Sequence, residues 1–173
     1  MLALVTSEEP LWVNGDSTRL AQVIANLLNN AAKYTEPEGR IELRVAGEQD
    51  EIVFRVRDSG MGIAPEMLPK IFELFTQIDR SLDRALGGLG IGLSLVRSVV
   101  ELHDGVVQAF SEGPGKGSEF VVRLPRLKSS TLNHHTEEGA ARIHPDSTMF
   151  NGITTAQKSE IRKPEFEVTS RTQ

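Results

Sequence analysis

The chain has 173 residues, of which 39% are hydrophobic and 25% charged, and its formal net charge is −5. This length allows one hydrophobic core and excludes two large domains. The negative charge gives no electrostatic basis for nucleic-acid binding, and no apolar run approaches the ~20 residues of a membrane span. Cysteine is absent and no signal peptide opens the chain, so we expect a soluble, cytoplasmic protein without disulfides.

Three segments differ in character. We interpret residues 1–9 as a connector, residues 10–127 as a folded domain and residues 128–173 as a tail. The tail is dominated by Ser, Thr, His, Glu and Gly, so it buries too little apolar surface to offset its ordering entropy. We therefore predict that the tail is largely disordered.

The domain begins with a short strand over 10–14, and a long helix follows from about Ser17 to Tyr34. Asp16 or Ser17 can cap this helix by accepting a hydrogen bond from a backbone N–H of its first turn. Apolar residues recur at three- and four-residue intervals and form one stripe, namely Leu20, Val23, Ile24, Leu27, Leu28 and Ala31.

A second face of the same helix is polar, because Asn26, Asn30 and Lys33 also recur at helical intervals. An amide oxygen is a hard ligand suited to Mg²⁺, and a lysine suits phosphate oxygens. This face therefore has the chemistry to bind a metal-bound polyphosphate. A face that is merely solvated gives the same pattern, and the helix alone does not decide between the two.

Two strands follow the helix, because apolar and charged residues alternate over 41–45 and 52–57. The second strand ends at Asp58, just before Gly60 and Gly62. A carboxylate accepts a hydrogen bond from the exocyclic amine of adenine, whereas guanine has a carbonyl oxygen there, so Asp58 would select ATP over GTP. An aspartate that only caps a loop is the alternative interpretation.

The second half of the domain completes the predicted fold. A short helix is predicted over Pro65–Phe75, and a final hairpin over 106–111 and 118–124. Between them a second helix ends at Asp104–Gly105, with His103 placed to favour the helix dipole. This order predicts an α+β fold, a two-layer α/β sandwich with helices on one face of a mixed, mostly antiparallel sheet.

Three glycine clusters accompany these elements. Glycines before a helix N-terminus leave free N–H groups for phosphate, and glycine permits positive φ and close backbone approach. The spacing in the middle cluster matches neither a Rossmann fingerprint nor a Walker loop, and the last cluster alone is typical of a hairpin turn. Their combination with the polar helix face and Asp58 is hard to obtain by chance. The clusters are Gly60 and Gly62; Gly88, Gly90 and Gly92; and Gly115 and Gly117.

Five ordered motifs resemble those of the ATP-binding catalytic domain of bacterial sensor histidine kinases, within the wider group that includes gyrase, Hsp90 and MutL. The resemblance covers roughly residues 10–125 and implies the Bergerat-type ATP-binding fold. The motifs are an N box at Asn26–Thr35, glycine boxes at Asp58–Ile63 and Gly88–Leu93, a phenylalanine box at Ile71–Phe75 and a last glycine motif at Gly115–Ser118.

The resemblance implies ATP and Mg²⁺ as ligands of the N box. Asn30 would be the Mg²⁺ ligand, with Asn26 beside it, and Lys33 would bind the phosphates. Tyr34 would pack near the ribose or the base.

The glycine boxes and the phenylalanine box are implied to complete the site. Asp58 would bind the adenine amine, assisted by Gly62 and Ser118. Phe72 and Phe75 would anchor a lid over about 76–90, although ordinary core packing explains them equally well. The other residues implied in nucleotide binding are Gly60, Ile63, Arg84, Gly88, Leu89, Gly90, Ile91, Gly92 and Leu93, with Arg80 also available to the phosphates or a partner.

The reaction implied by the resemblance is phosphoryl transfer. ATP-hydrolysing relatives carry a Glu general base where this chain has Asn26, and an asparagine cannot accept a proton at neutral pH. The γ-phosphate would pass to a histidine on a dimerisation and phosphoacceptor bundle, and from there to a response-regulator receiver domain in two-component signalling.

The family's phosphoacceptor segment, a His followed by an acidic residue and Arg-Thr-Pro, appears nowhere in the sequence. The four histidines, His103, His134, His135 and His144, offer no substitute. We therefore expect a fragment of a kinase that could be membrane-anchored, or a module acting in trans, unable to phosphorylate itself. The alternatives are a non-catalytic ATP-binding or kinase-interacting module and, less favoured, an ATP-hydrolysing member of the wider group.

Overall fold

A computed structural model describes residues 1–7, 9–76, 90–127 and 140–143. In this part of the chain, no helix is both long enough and apolar enough to cross a bilayer. The two helices are α1 (Ser17–Tyr34) and α2 (Gly92–Leu102). The strands are β1 (Leu2–Thr6), β2 (Leu11–Asn14), β3 (Ile41–Glu48), β4 (Glu51–Asp58), β5 (Val106–Phe110), β6 (Ser118–Pro125) and β7 (Ala140–Ile143).

Five strands form one mixed sheet in the order β1-β3-β4-β6-β5. β1 runs parallel to β3, and each of the other neighbouring pairs is antiparallel. The buried residues of α1 and α2 join the inward-facing residues of β3, β4 and β6 in a single core. This is the two-layer α/β sandwich that the sequence predicts, and the fold class is confirmed.

Helix α1 contributes the largest share of apolar residues to this core. The predicted stripe is buried along its whole length, and Leu27 is only 1% exposed. Asp16 is the N-cap, because its Oδ1 accepts hydrogen bonds from the backbone N–H groups of Thr18 at 2.8 Å and Arg19 at 3.1 Å. The cap and the apolar stripe together orient the polar face of α1 toward the end of the sheet.

The end of α2 is joined to the start of α1 by His103. Its Nδ1 donates to the Val99 carbonyl at 2.7 Å, and its Nε2 accepts from the Asp16 N–H at 3.0 Å. A β-carbon at Gly15 would collide with the imidazole ring. The sequence predicts only a favourable interaction of His103 with the helix dipole; the structure shows in addition that the ring links the two helices.

Two segments differ from the predicted elements. Residues 2–6, within the expected connector, form an edge strand of the main sheet. Residues 65–75 form successive turns instead of a helix, with i→i−3 hydrogen bonds such as Lys70 N to Met67 O at 2.9 Å. Pro69 explains the difference, because it lacks the N–H that would continue a helix.

One strand lies in the segment predicted to be disordered. β7 pairs antiparallel with β2, and Leu11 is opposite Ile143. The rest of the predicted tail, residues 128–139 and 144–173, lies outside the described residues.

The outer face of the sheet, opposite the helices, is covered by an ion-pair cluster. Arg55 contacts Glu48 at 2.8 Å, and Arg123 contacts Glu48 and Glu51 at 3.2 and 3.1 Å. The Arg55 hydrogen bond lowers the pKa of Glu48 below its ordinary value, although burial acts in the opposite direction. Beneath these side chains Val53 and Val121 are 1% and 2% exposed, because arginine stems cover apolar surface.

Replacing Leu27 by Ala tests the position of the core. Because Leu27 is 1% exposed at the centre of the core, we expect Leu27→Ala to lower the free energy of unfolding by about 2–5 kcal/mol. Leu102→Ala is the matched control, since Leu102 is 83% exposed and its loss should change stability by less than about 0.5 kcal/mol. Urea titration followed by circular dichroism measures both, and equal effects would contradict the described packing.

Candidate functional site

A pocket opens where the polar face of α1 meets the ends of β4 and β6 and the start of α2. It encloses about 370 Å³, part of it open to solvent. Its predicted members are Asn30, Tyr34, Asp58, Gly62, Ile63, Leu93 and Ser118, and its unpredicted members are Ala31, Met61 and Phe120. The walls are mainly apolar, and a few polar groups converge on them, which is the usual composition of a small-molecule site.

Asp58 is the buried polar group of this pocket, with 7% of its surface exposed. Its Oδ1 accepts from the Gly60 N–H at 2.8 Å, and its Oδ2 accepts from the Ser118 hydroxyl at 2.5 Å. The strand register produces this pair, because Asp58 ends β4 directly opposite Ser118 at the start of β6. Each carboxylate oxygen keeps a lone pair that can accept a further hydrogen bond from a ligand.

The loop after β4 is held by backbone hydrogen bonds on two sides. Met61 N–H donates to the Tyr34 carbonyl at the end of α1 at 3.0 Å. From the hairpin turn, Gly115 N–H donates to Met61 O at 2.7 Å and Gly117 N–H donates to Gly60 O at 3.1 Å. The loop and the turn therefore form one unit around Asp58.

Gly62 and Gly117 are required by this packing. Their φ angles are +70° and +72°, a region that side chains disfavour. A β-carbon at Gly62 would collide with the Gly113 carbonyl oxygen, and one at Gly117 with the Asp58 carbonyl oxygen. These two glycines thus bring the protein's own backbones together, and Gly62 also lines the pocket.

Ser111 also belongs to this unit, although none of the five sequence motifs includes it. Its hydroxyl accepts from Ile63 N–H at 3.0 Å and Gly113 N–H at 3.2 Å, and it donates to the Gly117 carbonyl at 2.7 Å. The only local signal is the position of a serine just after a strand and before a glycine turn, where hydroxyls often bond to the backbone.

The polar face of α1 is only partly in the pocket wall. Asn30 lines the pocket, while Asn26, also half-buried, lies one turn earlier on α1 outside the lining. Lys33 Nζ lies 5.0 Å from the centre of the Tyr34 ring, which is a cation–π arrangement. The structure therefore places Asn30 and Tyr34 at the pocket and Lys33 over the Tyr34 ring, outside the lining.

The start of α2 borders the pocket through Leu93. Gly90 has a φ of +68°, Ile91 is the N-cap with no side-chain cap, and a β-carbon at Gly92 would meet open space. The first N–H groups of a helix have no acceptor within it. The start of α2 therefore lies beside the pocket, and phosphate binding by its first N–H groups, which the second glycine box implies, stays a prediction.

Phe72 and Phe75, grouped by the sequence, have different environments. Phe72 packs against the core and contacts Phe120 edge to face, with ring centres 6.3 Å apart. Phe75 is 72% exposed, is absent from the lining, and has a φ of +63°. Its N–H donates to the Gly90 carbonyl at 3.1 Å. The predicted residues Arg80, Arg84, Gly88 and Leu89 lie outside the described residues.

Comparison with known proteins gives consistent matches. The family described as "Histidine kinase-, DNA gyrase B-, and HSP90-like ATPase" matches residues 15–128. The circadian input-output histidine kinase CikA of Synechococcus elongatus is 46% identical over 110 residues, which are 64% of this chain and 14% of CikA. The chain spans 9, 14 and 17% of the length of the first curated relatives.

Solved structures agree with these matches. The mycobacterial sensor histidine kinase MprB has a TM-score of 0.64 and 30% identity, and the match covers 72% of this chain and 84% of the MprB chain. Full-length ShkA in complex with AMPPNP has a TM-score of 0.63 and 31% identity, over 74% of this chain and 26% of the ShkA chain.

Substitution of Gly115 and of Gly117, two glycines of the same turn, distinguishes the stability cost of backbone strain from that of close packing. Gly115 and Gly117 both have positive φ, but a β-carbon at Gly115 would meet nothing within 4 Å. We expect Gly115→Ala to lower the free energy of unfolding by about 1–2 kcal/mol, from the left-handed conformation alone. Gly117→Ala should lower it by about 1–3 kcal/mol more, because its methyl group displaces Asp58. Urea titration of both variants tests this, and equal losses would contradict it.

Proposed function

Because the chain belongs to the family of histidine kinase-, DNA gyrase B- and HSP90-like ATPases, we propose that it binds Mg-ATP and donates the γ-phosphate to a histidine of a separate helical bundle. The observation that carries the proposal is Asp58, a buried carboxylate held by Ser118 and Gly60 in the wall of an apolar pocket. The coarser conclusion, an ATP-binding catalytic module of the histidine kinase type, follows from the family match and the relatives.

The pocket suits an adenine base. Its apolar walls, which include Ile63, Leu93 and Phe120, can enclose the flat ring. The free lone pairs of the Asp58 carboxylate can accept from the exocyclic amine of adenine, whereas the carbonyl oxygen of guanine would be repelled. Because Asp58 is held by two donors, its orientation is set before the nucleotide binds.

The phosphates would extend from the base toward Asn30 and the start of α2. The Asn30 amide oxygen is a hard donor that fits Mg²⁺, and Mg²⁺ commonly takes few protein ligands because water and phosphate oxygens complete its shell. Asn30, which lines the pocket, is the residue that would hold the ion here. When bound, Mg²⁺ would neutralise charge on the transferring phosphate.

Asn26 favours transfer over hydrolysis. Its amide cannot take a proton from water at neutral pH, and it lies one turn before Asn30 on the same helix face. In phosphoryl transfer, the protein contributes positioning and charge stabilisation more than covalent chemistry. The chain would therefore hold ATP for attack by a histidine that a partner supplies.

The partner proposed is a helical bundle that carries the phosphoacceptor histidine. Beside the pocket entrance Leu74, Phe75 and Ile91 are 62%, 72% and 41% exposed, and an apolar stripe on a helix could cover them. A response-regulator receiver domain would then take the phosphate in two-component signalling. This proposal also places the module in the cytoplasm, where ATP and the receiver domain are found.

Calorimetric titration with a non-hydrolysable ATP analogue and Mg²⁺ tests nucleotide binding. We expect saturable binding by the unmodified chain and a 10- to 100-fold weaker affinity for Asp58→Asn, because an amide group replaces a charged acceptor. Asp104→Asn is the matched control: Asp104 is exposed with a φ of +55°, which asparagine tolerates. Absence of binding by the unmodified chain, or equal losses in the two variants, would contradict the proposed site.

Incubation with γ-labelled ATP tests phosphoryl transfer. Alone, the chain should retain no label, because His103 lies in a helix cap with both ring nitrogens engaged. An isolated phosphoacceptor bundle of a sensor histidine kinase, added in trans, should become labelled on its histidine. Phe75→Gly should reduce that labelling at least tenfold without weakening ATP binding, since Phe75 is exposed and its φ suits glycine.

The controls for transfer are Leu102→Ala, which removes an exposed leucine at the other end of α2, and a bundle without its histidine. Label on this chain itself would contradict the expected dependence on a partner. Nucleotide binding without any transfer would favour a non-catalytic module. Rapid release of phosphate would favour an ATP-hydrolysing protein.

A further inference from the structure

Ser111 links the two backbone segments that surround Asp58. It follows β5 and is half-buried. Its hydroxyl accepts from the N–H groups of Ile63 at 3.0 Å and Gly113 at 3.2 Å and donates to the carbonyl of Gly117 at 2.7 Å, with a longer contact of 3.4 Å to the Gly113 carbonyl. A hydroxyl offers one donor and two acceptor positions, so these bonds use its full capacity.

Each of the linked segments carries part of the pocket. Ile63 lines the pocket directly, and Gly117 immediately precedes Ser118, whose hydroxyl donates to Asp58. If the loop and the turn moved apart, the side chain of Ile63 and the Ser118–Asp58 hydrogen bond would both shift. Ser111 itself is not part of the pocket lining, so any effect it has on a ligand passes through these neighbours.

The Ser111 hydroxyl is surrounded by backbone groups of the loop and the turn. A β-carbon at Gly62 would lie 3.2 Å from the Ser111 Oγ and would collide with the Gly113 carbonyl. Removing the hydroxyl would leave two backbone donors and one acceptor without this partner in a partly buried place. Leaving such groups unsatisfied is unfavourable, so the loop and the turn would rearrange.

We propose that Ser111 is a positioning residue for adenine: it holds the loop after β4 against the hairpin turn and so orients the Asp58–Ser118 pair toward the base. This inference rests on the proposed function, since it assumes that Asp58 binds adenine. The proposed role concerns only the base end of the nucleotide and not the phosphate end. The contacts of Ser111 all lie at the Asp58 end of the pocket, and none involves Asn30 or the start of α2.

The test compares affinities for a non-hydrolysable ATP analogue and the corresponding GTP analogue, both with Mg²⁺, by calorimetry. We expect Ser111→Ala to lower the affinity for the ATP analogue about tenfold, because this corresponds to the loss of one net hydrogen-bond contribution. Binding of the GTP analogue, which cannot use Asp58 in the same way, should stay unchanged. Ser111→Thr, which keeps the hydroxyl, should restore most of the ATP affinity. Ser98→Ala, on the exposed side of α2, should bind like the unmodified chain.

The ratio of the two affinities distinguishes positioning from general destabilisation, because partial unfolding would lower the affinity for both analogues by the same factor. If Ser111→Ala does not fold at the assay temperature, Ser111→Cys replaces it. The thiol is of similar size but is a weaker donor and acceptor, so we expect an intermediate change in the ratio of the two affinities. An unchanged ratio in the folded variant would overturn the inference and leave the proposed function intact. Failure of the unmodified chain to bind either analogue would overturn both.

Discussion

The structure of the site depends on the pairing of β4 with β6, which places Asp58 opposite Ser118. A buried carboxylate is costly to desolvate unless donors surround it. Here the strand register supplies one donor and the loop after β4 supplies another. A slip of one residue would turn Asp58 to the outer face of the sheet. The alternation of apolar residues along both strands therefore keeps the carboxylate in the pocket as well as building the core.

Two glycines make this arrangement possible. Gly62 and Gly117 let the loop and the turn approach until their backbones exchange hydrogen bonds. These backbone hydrogen bonds and those of Ser111 hold the loop and the turn together at the Asp58 end of the pocket. At the start of α2, a β-carbon on Gly92 would instead meet open space. Gly92 therefore has no part in close backbone packing of this kind.

Much of the fold could be predicted because its signals are local. The stripe of α1, the alternation in β3 and β4, and the strand-end position of Asp58 are each visible within a few residues. The features that the sequence does not predict depend on residues that are far away along the chain. β1 becomes a strand because β3 offers a parallel edge, and Ser111 and His103 act on residues 48 and 87 positions away. The turns at 65–75 differ from the predicted helix because Pro69 lacks the N–H that would continue a helix.

The hydrogen bond from Phe75 to Gly90 has a consequence for how this family of sites can vary. It joins residues 75 and 90 next to the start of α2. The entropy of closing a loop grows only slowly with its length, by about 0.6 kcal/mol for each doubling. A change in the number of residues between Phe75 and Gly90 should therefore change the free energy of unfolding only slightly. Because the hydrogen bonds that hold the Asp58 carboxylate come from Gly60 and Ser118, such a change would leave them intact.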